Sequence, residues 1–319
     1  MPINTQPNKP NATQQCGREF TLDLLHPRFW ITWLGLGFAF ILALFPGSFR
    51  QVLGNILGRY MYKYNKKRRH IINTNLKLAF PDMDNTRRDA LTLENLQMYA
   101  RAMLDYGLLI FASRKKLAKL LQIDGKEHLD HAINNGKPVM VLLAHSVMLE
   151  FAPAALGQHY ECFGSYKPAK NDLLDWVISK ARCRHVAFVV SRDAGLRKLV
   201  KSLTTGKVMI FLPDEDLGIK NAVFAPFFDH PKATLTSTAR IAALTKSAAF
   251  PAFCWYDHHT HKYRLQLAAP LANYPLKDPV AAARQLNQAL EELIKAHPEQ
   301  YMWQMKWFKT RPENEATFY

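Results

Sequence analysis

Apolar and polar positions change texture three times along this chain. Residues 1–20 are rich in Asn, Gln, Pro and Thr and show no apolar period, so residues 1–28 are expected to form a flexible N-terminus. Phe29–Phe45, FWITWLGLGFAFILALF, then runs 17 residues without a charge. As a helix it would reach roughly 25 Å, a little short of the ~30 Å hydrocarbon layer. Residues 29–50 are therefore expected to be a membrane anchor, spanning or embedded, with Trp30, Trp33, Arg28 and Arg50 as interfacial residues. A buried core helix is the competing reading. A cleaved signal peptide fits less well, because the run starts late and no A-x-A site follows.

Residues 51–120 read as a helical collar. Ile71–Phe80 and Asn85–Ser113 carry helical patterns, Pro81, Asp82 and Asp84 break them, and Thr86 supplies capping chemistry. Leu91, Met98, Met103 and Ile110 fall near helical spacing and are expected to pack in a core. From Leu121 the pattern alternates. Strands are expected at Val139–Leu143, Cys162–Tyr166, Ala187–Val190, Val208–Leu212, Phe250–Tyr256 and Tyr263–Ala268. Helices are expected at Leu173–Ala181, Ala194–Leu203, Leu235–Thr245 and Val280–Ala296. That alternation predicts an α/β fold over residues 121–312, a two-layer or three-layer sandwich with a mostly parallel central sheet, ending in a short tail at 313–319.

One stretch concentrates the chemistry. Val139–Leu143 is an unbroken apolar run, suited to a strand buried on both faces, and it leads directly into Ala144, His145 and Ser146. Sites in open α/β sheets form beyond the carboxyl ends of the strands. Glu150 follows His145 by five residues. Five helical steps turn through ~140°, so the two meet only if His145 lies just before the helix and Glu150 one turn inside it. The carboxylate would then fix the imidazole tautomer and leave the other nitrogen as a base. By itself H-x-x-x-x-E is a weak signal, and an unrelated histidine and glutamate would read the same.

Charge narrows the partners. The 319 residues carry a formal net charge of +16, which calls for an acidic counterpart: nucleic acid, an anionic membrane surface, or acidic substrates and carriers. Arg59–His70, RYMYKYNKKRRH, places six of those cations beside the anchor, where the positive-inside rule puts everything downstream in the cytoplasm. The same mixture of cations and tyrosines could stack on single-stranded nucleic acid, or simply be a solvated face. Cys16, Cys162, Cys183 and Cys254 are scattered without metal-ligand spacing and are expected to be reduced thiols.

Three further groups bear chemistry. The expected strand at Val208–Leu212 ends in Asp214, Glu215 and Asp216 before Gly218; such carboxylates could hold a divalent metal or form a plain acidic turn. Phe224–Phe228 beyond it could line an apolar groove, although aromatics commonly belong to cores. Tyr166, Lys167 and Asn171, with Arg182 and Arg184, offer cations for phosphates or an oxyanion. The segment from Pro298 to Pro312 mixes Trp303 and Trp307 with Lys306, Lys309 and Arg311, as an interface-facing surface would.

Together these segments resemble the late acyltransferases of lipid A biosynthesis, the lauroyl/myristoyl family within the wider lysophospholipid acyltransferase superfamily. The likeness runs from the anchor to Pro312. It is carried by HSVMLE (His145–Glu150), Tyr166–Pro168 with Asn171, the DxDxG-like Asp214–Gly218, VFAPFF (Val223–Phe228) with Ala233 and Thr234, and PEQYMW…KTRP at 298–312. The resemblance implies an enzyme on the cytoplasmic face of the Gram-negative inner membrane. It would move a fatty acyl chain from acyl carrier protein to a hydroxyacyl chain of a phosphorylated, Kdo-bearing lipid A precursor, with no metal and no cofactor beyond acyl carrier protein as co-substrate.

On this resemblance His145 is the base and Glu150 its partner, while Lys167, Asn171, Arg182, Asp214, Asp216, Phe227 and Phe228 bind substrate or support the site. Lys167 stands where many members have arginine, keeping charge but losing a bidentate fork. The tail, YMWQMKWFKTRP, departs from the YMWxHRRFKxRP of the lauroyl branch and leans to the myristoyl type, whereas DLGIKNAVFAPFF leans to the lauroyl type. Competing readings are a glycerophospholipid or lysophospholipid acyltransferase, a membrane-tethered nucleic-acid-binding module and a non-catalytic membrane scaffold. Nucleic acid is not an expected partner if the family reading holds.

Overall fold

The computed structural model describes residues 19–191 and 196–319. Five helices come first: α1 (Trp30–Leu44), α2 (Gly47–Tyr64), α3 (Lys66–Ala79), α4 (Asn85–Phe111) and α5 (Arg114–Leu120). Then follow β1 (Leu121–Asp124), α6 (Lys126–Asn134), β2 (Val139–Leu143), α7 (Phe151–Leu156), β3 (Glu161–Tyr166) and α8 (Asp172–Cys183). Next are β4 (Phe188–Ser191), α9 (Leu196–Ser202), β5 (Lys207–Phe211), β6 (Ala222–Phe227) and β7 (His230–Leu235). The last elements are α10 (Ser237–Thr245), β8 (Ala248–Asp257), β9 (Lys262–Leu267) and α11 (Pro279–Ala296).

Seven strands form one sheet in the order β1-β9-β8-β2-β5-β3-β4, and every neighbouring pair is parallel except the β8–β9 hairpin. The α/β class and mostly parallel sheet expected from the alternation are present. β2 sits at the centre with all five residues fully buried. Val139, Val141 and Leu143 pack into one apolar cluster, and Met140 and Leu142 into another, so the sheet carries a core on each face. Short polar side chains punctuate the helices as expected of caps: Asn65 accepts from the Arg68 N–H, Asp84 from Arg87, Ser113 from Lys116 and Asp278 from Ala281. The cap of α4 is thus Asp84, two residues before the expected Thr86.

Three strands escaped the sequence pattern. β1 is only four residues long. β6 and β7 form a separate antiparallel hairpin where a Phe-rich loop is expected. Its two-residue turn, Phe228–Asp229, has positive φ at both positions, and a phenylalanine there carries none of the usual hairpin-turn signal.

α1 ends at Leu44, and Pro46 begins α2, so residues 29–50 hold one helix and the first turn of the next. The window Pro27–Leu44 is long and apolar enough to cross a membrane, and only 22% of it is buried. Ile31, Leu34 and Leu44 are among its exposed residues, which does not suit a core helix. α2 extends this surface with Phe49, Val52, Ile56 and Tyr60, spaced as one helical face. Its other face lies close on α4 through Gly54 and Gly58; a Cβ at Gly58 would come within 2.4 Å of the Gln97 Cα. Arg50 is not interfacial. It is buried at this corner, where it donates to Asp105 and to the Leu42 and Phe45 carbonyls that end α1. Arg101 donates to the other oxygen of Asp105 at 2.9 Å.

The C-terminal segment is also buried. Trp303 and Trp307 are fully enclosed, because collar asparagines satisfy its backbone: Asn75 donates to the Trp303 and Met305 carbonyls, and Asn95 to those of Glu299 and Tyr301. An interface-facing role for these tryptophans is therefore replaced by a core one. Of the cysteines, Cys162 and Cys254 are buried free thiols, whereas Cys183 is disulfide-bonded rather than reduced. Asn95→Ala would leave the Glu299 carbonyl and the Gln304 amide without partners and take one of two donors from the Tyr301 carbonyl. It is expected to cost about 2–4 kcal/mol, read as a melting temperature lower by several degrees in detergent solution; an unchanged melting temperature would show that the tail is held by other contacts.

Candidate active site

β2 and β5 are neighbours in parallel, with Leu142 opposite Phe211. Continuing that register by three residues brings His145 opposite Asp214, and the two meet. His145 Nδ1 lies 2.6 Å from Asp214 Oδ1, and the His145 backbone N–H donates to Oδ2 at 2.8 Å. Oδ2 also accepts from the Tyr301 hydroxyl at 3.0 Å. The imidazole is clasped from behind as well, since the Met302 N–H donates to the His145 carbonyl and the Trp307 ring lies 5.8 Å away.

The carboxylate partner of His145 is accordingly Asp214 and not Glu150. Glu150 precedes α7 and pairs with Arg182 of α8, whose Nε donates at 2.9 Å and whose Nη2 closes the fork. Sequence proximity favoured Glu150; the sheet delivers the carboxylate from 69 residues away. Both strand ends were visible as apolar runs ending in polar residues, and only their adjacency was hidden.

Electrostatics sets the protonation pattern. Complete burial pushes the Asp214 carboxyl up, but the charge and both hydrogen bonds of His145, with help from Lys232, outweigh it and hold the carboxyl below its usual range. Burial, then the charge of Asp214, raises the Tyr301 hydroxyl well above normal, so it remains a donor. An ionised Asp214 must receive the Nδ1 proton. Nε2 is then the ring nitrogen with a free lone pair, and among the described residues nothing hydrogen-bonds it. This is the arrangement of a general base.

The remaining expected site residues divide. Arg182, paired with Glu150, stands over the Tyr166 ring and borders a cavity of about 110 Å³ with Tyr106, Leu109, Ile110 and Ala154. Lys167 is exposed just beyond β3, on the same carboxyl edge as His145. Asn171 caps α8 by accepting from Leu174, and its amide donates to Thr32 of α1. Asp216 turns from His145 to the tail, accepting from the Gly218 and Thr310 N–H groups and the Thr310 hydroxyl. Phe227 and Phe228 do not line an open groove. Phe227 packs near Tyr301 and Phe308, and Phe228 against Phe80 and Trp303. Among the described residues no cluster of three or more His, Cys, Asp or Glu could hold a metal ion; the acidic run is split between His145 and the tail.

Tyr301 and Lys232 were not anticipated as site residues. The PEQYMW block holding Tyr301 was conspicuous, but nothing in it pointed toward Asp214.

A buried histidine–carboxylate pair lies at the carboxyl edge of a parallel sheet, in a chain that also carries an exposed apolar helix. The comparisons supply the class. Residues 18–310 match the model of the bacterial lipid A biosynthesis acyltransferases, and the chain belongs to that family. It is 30% identical over 302 residues to the lipid A biosynthesis lauroyltransferase of Escherichia coli K12, covering 94% of this chain and 98% of the relative. It is 31% identical to the palmitoleoyltransferase of the same organism (96% and 99% covered) and 29% to its myristoyltransferase (94% of each). The chain is thus an acyltransferase of lipid A biosynthesis.

Asp214→Asn separates charge from shape. Two donors face Oδ2, so the amide oxygen must take that place and the NH₂ must face Nδ1. This forces the proton onto Nε2 and removes the base. Activity should fall by about 10³–10⁴-fold with the fold retained by circular dichroism, the size such tautomer reversal has elsewhere. Activity within tenfold of the parent would show that Asp214 does not set the tautomer.

Proposed function

We propose that this enzyme transfers a fatty acyl chain from acyl carrier protein to the hydroxyl of a hydroxyacyl chain on a phosphorylated, Kdo-bearing lipid A precursor, with His145 as general base. The single observation behind this is the 2.6 Å contact of His145 Nδ1 with buried Asp214, which leaves Nε2 to meet an acceptor hydroxyl. Nε2 takes the hydroxyl proton as the oxygen attacks the thioester carbon. The C–O bond forms, the C–S bond breaks, and the proton returns to the departing sulfur. The attacking group is the substrate's own hydroxyl, so no serine or cysteine nucleophile is required.

The surroundings support this reading. Acyl carrier protein and the phosphorylated acceptor are acidic, and a chain of net charge +16 attracts both. Lys167 lies just beyond β3 at the same sheet edge as the base, and Arg182 pairs with Glu150, five residues after His145; both can steady an anionic substrate or the tetrahedral oxyanion. Glu150 then acts through Arg182 by fixing the direction of its guanidinium. The exposed apolar faces of α1 and α2, followed by Arg59, Lys63, Lys66, Lys67, Arg68 and Arg69, fit attachment to an anionic cytoplasmic leaflet of the inner membrane. The cavity of about 110 Å³ beside Glu150 is lined by residues of α4, α7 and α8, and an acyl chain would enter by widening it.

The test is acyl transfer by the full-length protein in detergent. Lauroyl-, myristoyl- and palmitoleoyl-acyl carrier protein serve as donors, with the lipid A precursor and lysophosphatidic acid offered side by side. The parent protein is expected to acylate the lipid A precursor, and His145→Ala to lose at least about 10³-fold in turnover while keeping its melting temperature. Preference for lysophosphatidic acid would overturn the acceptor, and a near-normal His145→Ala would overturn the base.

A further inference from the structure

Lys232 lies in the middle of β7, opposite Ala225 of β6, and its side chain is completely buried. Its ammonium has no hydrogen-bond partner. Burying a bare cation this way costs several kcal/mol unless charges nearby offset it, and a methionine would fill the space without that cost. The charges that offset it are Asp214 and Asp216, beyond the end of β5. A phenyl face, that of Phe227, stands 5.4 Å from Nζ on its own hairpin. The hairpin is hung from α11, where Asn287 donates to the Pro226 carbonyl and the Thr234 hydroxyl.

Nothing in the family assignment or in the proton path above uses this lysine. We infer that Lys232 is a positioning residue for the acyl transfer: its ammonium is the counter-charge that keeps buried Asp214 ionised, and so keeps the His145 proton on Nδ1. The inference rests on His145 acting as the base. Lys232 is completely buried and donates no hydrogen bond, so it acts through the field it sets up and not by touching the substrate.

The charge count explains the arrangement. Asp214 is anionic in a dry site, and Tyr301 can give it a hydrogen bond but no charge. Lys232 is the cation set against Asp214 and Asp216, and it offsets part of the negative charge that faces the imidazole. Without it Asp214 takes up a proton more easily. The other titratable groups on the enclosing elements do not substitute for it. Asp216 is engaged by Thr310, Lys309 donates to the Asp216 carbonyl, and Glu291 on α11 is already paired with Arg284. Burial also lowers the Lys232 ammonium to about 8, against the pull of Asp214 and Asp216. Its effect is therefore present at neutral pH and fades as pH rises past that value.

The experiment compares parent, Lys232→Met, Lys232→Gln and His145→Ala proteins, full length in detergent, by the acyl carrier protein assay above. kcat and KM are measured across pH 5.5–9.5, with melting temperatures alongside. Lys232→Met is expected to lower kcat by about 3–10-fold at neutral pH with KM for both substrates little changed. The acid limb of its kcat/KM profile should move up by about one pH unit, and its rate should approach the parent above pH about 8. Its melting temperature should stay level or rise. Lys232→Gln should show the same acid-limb shift.

A lysine with only a structural role would change the melting temperature and leave the limb in place. That outcome overturns the inference, as would kcat within twofold of the parent, or loss of the fold in both variants. A fully active His145→Ala would instead sink the base assignment, and that result is read independently of Lys232.

Discussion

The structure depends on one adjacency: β2 and β5 lie side by side in parallel, at a register that puts residue 145 level with residue 214. Neither polar end means much alone. A histidine after a buried strand and an aspartate after another become a base only when their strands share an edge. One register step would move Asp214 to the opposite face, because side chains alternate along a strand. The all-apolar β2, buried on both faces, pins that register and makes the dyad rigid rather than incidental.

From that point the remaining parts can be ordered by what they hold in place. The His145 loop is bound to the C-terminal segment through the Met302 N–H and through the Val147 N–H, which donates to the Gln300 carbonyl. That segment is held in turn by Asn75 and Asn95, which project from α3 and α4. α4 carries Asp105, the acceptor shared by Arg50 and Arg101 at the corner where α1 meets α2. A continuous set of buried hydrogen bonds therefore links the apolar surface of α1 and α2 to the imidazole. On the proposed reaction such a fixed relation orients base and acceptor hydroxyl, and that orientation is worth several kcal/mol of the barrier.

How much of this was legible in the sequence depended on how local the signal was. The central strands read directly, because a run such as VMVLL has no reason to be apolar throughout unless both faces are covered. The exposed apolar helix α1 read equally well from its missing charges. The pairing of His145 did not, because a spacing of five residues is visible in a sequence and a neighbouring strand is not. The same limit explains Phe227, Phe228, Trp303 and Trp307. Their types suit a groove or an interface as well as a core, and only the asparagines that cap the tail carbonyls decide for the core. Lys232 stands out only as one residue of the run that follows the acidic cluster, and nothing in HPKATL marks it as buried.

Two buried ionic groups in the chain invite different explanations. Arg50, Arg101 and Asp105 form direct hydrogen bonds, and Arg101 stacks 3.7 Å from the Tyr256 ring centroid, so these charges secure a helix corner. Asp214 and Lys232 are as deeply buried yet share no direct bond. A sequence free to maximise stability would replace such a pair with apolar side chains, since separated buried charges recover little of their desolvation cost. Their persistence beside a histidine with one free nitrogen is best understood through the imidazole. In the proposed reaction its Nδ1 proton stays in place while Nε2 takes up and returns the acceptor's proton, and a fixed field from both charges supports that without any movement of the backbone.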